Sequence, residues 1–175
     1  MIELAHTSAA GPDALGAAYR LLEEVFEGEF GAADWEHSLG GMHAFAWEGD
    51  TLVGHGSVVQ RRLLHNGRAL RCGYVEGVAV RAAHRRRGHG SDVMAALESV
   101  IHTAYDLGAL GTTEDGEPLY RARGWRRWTG PLAALTPDGI RETPEEAGAV
   151  YVLPGVMPLD LSAALTCDWR DGDVW

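Results

Sequence analysis

The sequence predicts a single α/β domain over residues 1–175, with a mixed, mostly antiparallel central sheet flanked by helices. Three observations carry that expectation. Apolar residues between Asp13 and Phe26 recur at helical spacing. The stretch from Met42 to Val80 alternates like hairpin-linked strands around the turn signals Glu48-Gly49-Asp50 and Asn66-Gly67. Finally, Leu70 to Leu97 reads as a strand, a basic glycine loop and a helix in succession. Helices, then antiparallel strands, then strand–loop–helix–strand is an order that layers helices on a mixed sheet.

Each element has its own reason. Leu15, Ala18, Tyr19, Leu22 and Phe26 share one helical face, and the glycines at Gly28 and Gly31 end that helix. Ala32–Leu39 reads as a second short helix stopped at Gly40-Gly41. Met42–Trp47 and Thr51–Leu64 are strands joined by a tight turn, and Asn66-Gly67 returns the chain into Leu70–Val80. In that strand, alternation puts Cys72, Tyr74, Glu76, Val78 and Val80 on one face. From Gly90, Val93, Leu97, Val100, Ile101, Ala104 and Tyr105 line a helix that ends near Gly108. Leu107–Thr112 is a strand and Pro118–Arg123 a short helix stopped by Gly124. Trp125–Leu135 and Val150–Leu153 are further strand candidates, separated by a proline- and acid-rich loop from Pro137 to Gly148.

Composition narrows the class. One 175-residue domain has room for a proper core, and 46% hydrophobic with 23% charged residues is ordinary for a soluble protein. No apolar run approaches the roughly 18–20 residues that span a bilayer, so no membrane partner is expected. The N-terminus lacks a basic region followed by an apolar one, so no signal peptide is expected. The two cysteines, Cys72 and Cys167, read as buried free thiols of a cytoplasmic protein. The eight histidines form no ligand spacing, and no metal is expected. The formal charge of −10 argues against nucleic acid, for which the arginine cluster Arg81, Arg85, Arg86 and Arg87 is otherwise a candidate. Acidic segments from distant parts of the chain would draw in a polycation if they converged on one cleft.

The most informative run is Arg85-Arg86-Arg87-Gly88-His89-Gly90. Gly88 and Gly90 lack a Cβ, so the backbone can turn sharply and bring its N–H groups to an anion. The helix that follows adds unpaired donors and the positive end of its dipole. A basic island in an acidic chain suits the compact polyanion of a nucleotide cofactor. Written R-x-x-G-x-G after the V-x-V of Val78-Ala79-Val80, the segment resembles the pyrophosphate loop of the GCN5-related N-acetyltransferases, which bind acetyl-CoA. The resemblance implies that fold.

Amine acetylation by a thioester needs a base, an oxyanion site and a proton donor for the leaving thiolate. Glu76 is the candidate base, a carboxylate in a strand two residues before Val78. The Val78 N–H is a candidate oxyanion donor, and Tyr120 on its short helix is the candidate acid. Neither cysteine sits in a nucleophile motif, so direct attack by the amine is expected rather than an acyl-enzyme. The tail Cys167-Asp168-Trp169-Arg170-Asp171-Gly172-Asp173-Val174-Trp175 interleaves two tryptophans with three aspartates. It reads as an anchored end on which Asp173 and the terminal carboxylate of Trp175 stay available to a cation.

Four segments, 34–43, 70–81, 119–125 and 167–175, together resemble the aminoglycoside 2′-N-acetyltransferases of mycobacteria and related bacteria. That resemblance implies acetyl transfer to the 2′-amine of an aminoglycoside antibiotic, with resistance as a consequence, and a homodimer. It assigns Glu76 as a base acting through water and Tyr120 as the acid. The Gly77 carbonyl and the Trp175 carboxylate would hold the 2′-amine, and Asp34, Glu146 and Asp173 would meet other antibiotic amines. Val78, Ala79, Val80, Arg85, Arg86, Gly88, His89, Gly90 and Ser91 would hold coenzyme A. Gly111-Thr112-Thr113, Glu29 and Glu146 depart from the family pattern, which bears on the drug spectrum. Two other readings fit parts of the sequence: an acetyltransferase of another small, cell-wall or peptide amine, and a non-catalytic acyl-CoA or aminoglycoside binder.

Overall fold

A strand that the sequence pattern does not announce opens the chain in the computed structural model, which describes residues 1–175. This strand, β1 (Ile2–His6), pairs antiparallel with β2 (Met42–Glu48). Only Ile2 and Ala5 of β1 are partly covered, so it lacks the apolar alternation that would reveal it. The helix α1 (Thr7–Val25) starts earlier than its periodicity indicates, but Gly11 departs from helical angles, with φ 78° and ψ 160°. Pro12 follows that kink, and the regular amphipathic part starts where the apolar spacing does.

The chain builds two compact units. The first comprises Met1–Val59 and Val75–Val100. It holds β1, α1, α2 (Ala32–His37), β2, the first part of β3 (Thr51–His65), the second part of β4 (Arg68–Val80), and most of α3 (His89–Ala104). β2 and β3 form the expected hairpin, with Phe45 opposite His55 and His43 opposite Ser57. Its core joins Ala18, Leu21 and Leu22 of α1 to Phe45, Leu52 and Ala79. On the α3 side, Val93 and Leu97 are fully buried against Gly56. A Cβ there would lie 2.9 Å from Val93 Cγ1, so glycine lets this helix seat on the sheet.

The second unit comprises Gln60–Tyr74 and Ile101–Trp175. It adds β5 (Leu107–Gly111), α4 (Glu117–Ala122), β6 (Arg126–Arg127), β7 (Leu132–Thr136), β8 (Gly139–Glu142), β9 (Val150–Pro154) and β10 (Leu165–Cys167). Its strands run in the order β6-β9-β5-β4-β3-β10-β7-β8. β4 with β5 and β10 with β7 are parallel, whereas β10 with β3, β5 with β9, β6 with β9 and β7 with β8 are antiparallel. The sheet is therefore mixed and mostly antiparallel, as the sequence predicts.

Two expectations need correction, and one further strand goes unannounced. The segment from Pro137 to Gly148 is not a loop throughout, because Gly139–Glu142 forms β8 and Pro144–Glu146 a 3-10 turn. All four β8 residues are exposed, so nothing in their polarity marks a strand. β10 is three residues long, too short for a periodic signal. The shared face of Cys72, Tyr74, Glu76, Val78 and Val80 is interrupted at Gly77, whose φ of 55° breaks the two-residue alternation. Cys72 and Cys167 are buried free thiols, as expected. No helix is long and apolar enough to cross a membrane.

Candidate active site

In the first unit the candidate residues gather on the end of β4 and the start of α3. At Gly77 a left-handed conformation coincides with close packing, since a Cβ would fall 3.0 Å from Ser38 Oγ and 3.3 Å from Leu22 Cδ1. Only glycine meets both conditions without strain. The Gly77 carbonyl accepts a hydrogen bond from His55 Nδ1 at 2.9 Å. The neighbouring Glu76 carbonyl has a longer contact, 3.5 Å, to Ser57 Oγ. Val78 lies on the α3 side, its Cγ2 3.2 Å from where a Gly56 Cβ would be. Ala79 turns the other way, into the apolar core with Leu22 and Phe45. Its side chain is therefore structural, and what it can offer a ligand is backbone.

The basic loop has the form of an anion cradle. Arg86 and Gly88 both have positive φ, 62° and 94°, so the backbone curls before the helix. The first bond of the α3 ladder runs from Asp92 N–H to Gly88 O at 2.9 Å. The N–H groups of His89 and Gly90 thus precede that ladder, with Ser91 beside them in the first turn. Arg85, Arg86 and Arg87 are exposed around them. Arg85 folds back at Nε, which donates to Val80 O at 3.1 Å. The His89 imidazole is bound to Glu48 Oε1 at 2.7 Å, which leaves its backbone as the ligand-facing part. Arg81 does not belong to the cradle: it pairs with Glu24 and donates to Leu52 O at 2.9 Å. Asp34 caps α2, its Oδ2 accepting from Gly31 N–H at 2.7 Å.

In the second unit the tail is tied down, as its composition suggested. Asp168 Oδ1 accepts from Arg61 Nε at 2.8 Å, and Arg61 is 3% exposed. Arg61 and Arg170 both lie over the Tyr74 ring, 4.7 and 5.3 Å from its centroid. Arg170 donates from Nε to Asp173 O at 2.7 Å and from Nη2 to Trp175 O at 3.1 Å. The indole of Trp175 is buried and donates from Nε1 to Thr143 Oγ1 at 2.9 Å. The Trp175 backbone ends beside Gly111, where a Cβ would lie 3.7 Å from both Trp175 C and Tyr74 Oη.

Acidic groups surround this end. Trp175 N–H donates to Asp173 Oδ1 at 3.3 Å. Partial burial, then Asp173 and Glu145, push the Glu146 carboxyl above its usual range. The second unit therefore brings Glu146, Asp173 and Trp175 together, three of the residues expected to meet a cationic substrate. Tyr120 is buried on α4, edge-on to Trp125 with centroids 6.1 Å apart. Burial pushes its phenol up to about 12, so it is protonated throughout the physiological range. No group of three or more His, Cys, Asp or Glu side chains is arranged to hold a metal ion.

The sequence reading passed over His43, His55, Thr143 and Arg170 as site-supporting residues. Thr143 and Arg170 carry no local signal. The histidine pair does, once the hairpin register is drawn, because Phe45 opposite His55 makes His43 its diagonal neighbour.

Comparison with known proteins places this arrangement among acetyltransferases. Residues 7–128 match the family model described as an acetyltransferase (GNAT) domain. The chain is 49% identical over 176 residues to the aminoglycoside 2′-N-acetyltransferase of Mycolicibacterium fortuitum, covering 98% of this chain and 90% of that protein. Among solved structures, Eis1 from Mycobacterium abscessus matches 76% of this chain with a TM-score of 0.62 and 17% identity. The match spans only 33% of Eis1, about a third of that longer chain. Escherichia coli ElaA matches 87% of this chain and 99% of its own length, with TM-score 0.58 and 21% identity. The ribosomal-protein-S18-alanine N-acetyltransferase of Escherichia coli matches 90% of this chain and 96% of its own, with TM-score 0.59 and 16% identity. At these identities the solved structures share the fold.

Proposed function

We infer that this chain, which belongs to the acetyltransferase (GNAT) domain family and within it to the aminoglycoside 2′-N-acetyltransferases, moves the acetyl group of acetyl-CoA onto the 2′-amine of an aminoglycoside. The observation that carries this reading is the near full-length relationship, 49% identity over 98% of the chain. The geometry of each unit supports it. A basic, positive-φ loop opening a helix fits the pyrophosphate of coenzyme A, and a tied-down acidic tail fits a polycationic sugar.

Acetyl-CoA supplies the thioester, whose carbonyl carbon is the electrophile. His89 and Gly90 N–H groups with Arg85 and Arg86 bind the pyrophosphate, and Val78 and Val80 backbone groups hold the pantetheine arm. The substrate ammonium must lose a proton before its nitrogen can attack. Glu76 takes that proton, directly or through one water. The negative charge that develops on the thioester oxygen is met by the Val78 N–H. The C–S bond breaks as the C–N bond forms, and Tyr120 gives its proton to the departing thiolate. Asp34, Glu146 and Asp173 engage other ammonium groups and set the orientation. No covalent acyl-enzyme is required. Burial holds both thiols above their usual range, Cys167 at about 11, so neither is a ready nucleophile.

Two free thiols and a thioester substrate agree with a cytoplasmic location, and antibiotic resistance follows wherever the acetylated drug no longer binds its target. We expect a homodimer, which light scattering at working concentration checks. The test of the reaction is thiol release from acetyl-CoA. Tobramycin and gentamicin, which carry a 2′-amine, should be acetylated. Amikacin and kanamycin A, whose 2′ position is a hydroxyl, should not. Turnover of neither pair overturns the substrate assignment.

A further inference from the structure

Beneath Gly77 lies a chain of buried polar groups that the mechanism above leaves unused. His43 on β2 and His55 on β3 are both 0% exposed. Their rings sit 5.3 Å apart, walled by Phe45 at 5.6 Å from each and by Trp35 at 6.4 and 6.5 Å. Two imidazoles in an aromatic box are costly unless every ring nitrogen finds a partner. All four do. His55 Nδ1 meets Gly77 O at 2.9 Å, and His55 Nε2 meets His43 Nδ1 at 3.0 Å. His43 Nε2 meets Thr7 Oγ1 at 2.8 Å, which in turn receives Gly40 N–H at 2.9 Å.

The direction of this chain follows from its ends. A carbonyl oxygen only accepts, so His55 must carry its hydrogen on Nδ1. Burial lowers His55 to about 3 and His43 to about 4, so both rings are neutral near pH 7 and each has one donor and one acceptor. His55 Nε2 is then an acceptor, His43 Nδ1 donates to it, and the Thr7 hydroxyl donates to His43 Nε2. Thr7 Oγ1 also approaches Gly41 O, but at 3.2 Å, and its single hydrogen belongs to the shorter contact. From the Gly40 N–H to the Gly77 carbonyl, every hydrogen points the same way. Such aligned bonds polarise one another.

The end of the chain is what gives it a function. Gly77 O and the Val78 N–H belong to one planar peptide unit, and in a trans peptide they point in opposite directions. No cis peptide bond is present. Fixing the carbonyl on His55 therefore fixes the aim of the N–H on the other edge of the strand. Accepting a hydrogen bond at the carbonyl also makes the N–H of the same peptide a stronger donor. Ser57 Oγ also reaches this turn, at 3.5 Å from Glu76 O, a longer contact than the 2.9 Å bond of His55 to Gly77 O.

We propose that His55, backed by His43 and Thr7, is a positioning residue for acetyl transfer: its Nδ1–H holds and polarises the Gly77–Val78 peptide so that the Val78 N–H is aimed at the thioester oxygen. This rests on the reading of Val78 as the oxyanion donor. Neither histidine touches substrate or exchanges a proton in the reaction. They act through one peptide.

Imidazole 15N shifts of the wild-type protein should show the Nδ1–H neutral form at both histidines from pH 6 to 8. An Nε2–H form at His55 overturns the proposal, because no hydrogen would then face Gly77 O. His55→Leu should lower kcat with tobramycin about tenfold, part of the roughly 10²–10³-fold loss expected when an oxyanion donor is removed outright. KM for both substrates should change less than about twofold, since ground-state contacts remain. His55→Asn, whose amide N–H falls where Nδ1 was, should recover most of kcat, and His55→Gln, whose amide reaches the Nε2 position instead, should not. Unchanged kcat in His55→Leu, a loss confined to KM, or equal rescue by both amides overturns it. Should His55→Leu fail to fold, the Asn and Gln variants and the Val78 amide proton shift, expected to move upfield only in Gln, decide. Absence of turnover in the wild type would instead overturn the aminoglycoside assignment. The tautomer and the amide shift would still judge the positioning.

Discussion

Gly77→Ala tests whether the turn in β4 is a strained joint or an incidental bend. The native φ of 55° lies in the left-handed region, where a Cβ costs about 1–2 kcal/mol. Alanine regains about 0.4–1 kcal/mol by restricting the unfolded chain. The new methyl would also press on Ser38 Oγ at 3.0 Å and Leu22 Cδ1 at 3.3 Å, in a packed core where overfilling costs about 1–3 kcal/mol. The net loss is about 2 kcal/mol. For a chain of this size that is about 4–8 °C in Tm. Thermal and urea unfolding measure it. Ser38→Ala removes the nearer obstacle, and in the Gly77→Ala background it should recover about 1 kcal/mol beyond its own effect. A loss under about 0.5 kcal/mol, with no coupling to Ser38, would falsify the geometric argument, because neither the conformation nor the contact would then be restraining the chain.

Three further outcomes follow from particular contacts. Tyr120→Phe keeps the edge contact with Trp125 and removes only the buried hydroxyl, so Tm should hold within about 1 °C while kcat falls roughly a hundredfold; an unchanged kcat removes Tyr120 from the reaction. Thr143→Val strands the buried Trp175 Nε1–H, costing about 1–3 kcal/mol in urea unfolding and raising KM for the aminoglycoside; a neutral effect on both means the indole is not what seats the tail. Stability should fall on acidification through the buried histidines. Their folded values, about 4 and about 3, lie below the ordinary 6.5, so the unfolded chain binds the extra protons. Their contribution is complete above about pH 6.5 and is lost as pH drops toward 4, by up to about 1.4 kcal/mol per pH unit for each ring. His55→Asn should flatten that slope, and a slope equal to wild type would place the protons elsewhere.

What was legible in the sequence had strong local causes. Asn66-Gly67 specified a turn in which both residues take positive φ, 49° and 74°, and the hairpin followed. The run from Val78 to Gly90 joined strand, curled loop and helix within a dozen residues, so the anion cradle appeared from local chemistry alone. The tail was legible because tryptophans interleaved with aspartates suggest a packed segment, and Asp168 and Trp175 are held by Arg61 and Thr143. What stayed hidden depends on long-range pairing. β1 earns its place by hydrogen bonding to β2, not by burying a face. Arg81 looked like its neighbours in the basic cluster until Glu24, on α1, was seen to engage it. His43 and His55 looked scattered because a diagonal contact between strands leaves no mark on spacing along the chain.

The acidic end of the second unit links substrate binding to protons in a way that can be read directly. Glu146 is held above its usual range by partial burial and by the nearby charges of Asp173 and Glu145. An ammonium group seated among the three carboxylates opposes that shift, because an opposite charge favours the ionised form. Just above the ordinary carboxylate value of 4.5, the free protein therefore carries a share of the proton on Glu146, and binding an aminoglycoside releases it. Substrate amines titrate as well and take up protons on entering an acidic site, so the total alone is uninformative. The difference between wild type and Glu146→Gln isolates the carboxyl. Calorimetry at pH 5 in buffers of different ionisation enthalpy should give a more positive proton release for wild type than for the glutamine variant, and the two should converge by pH 7. Affinity for wild type should accordingly weaken more steeply between pH 6 and 5. Identical proton numbers in the two proteins would mean that no ammonium sits near Glu146, and the convergence of tail and loop acids would then serve solubility rather than recognition.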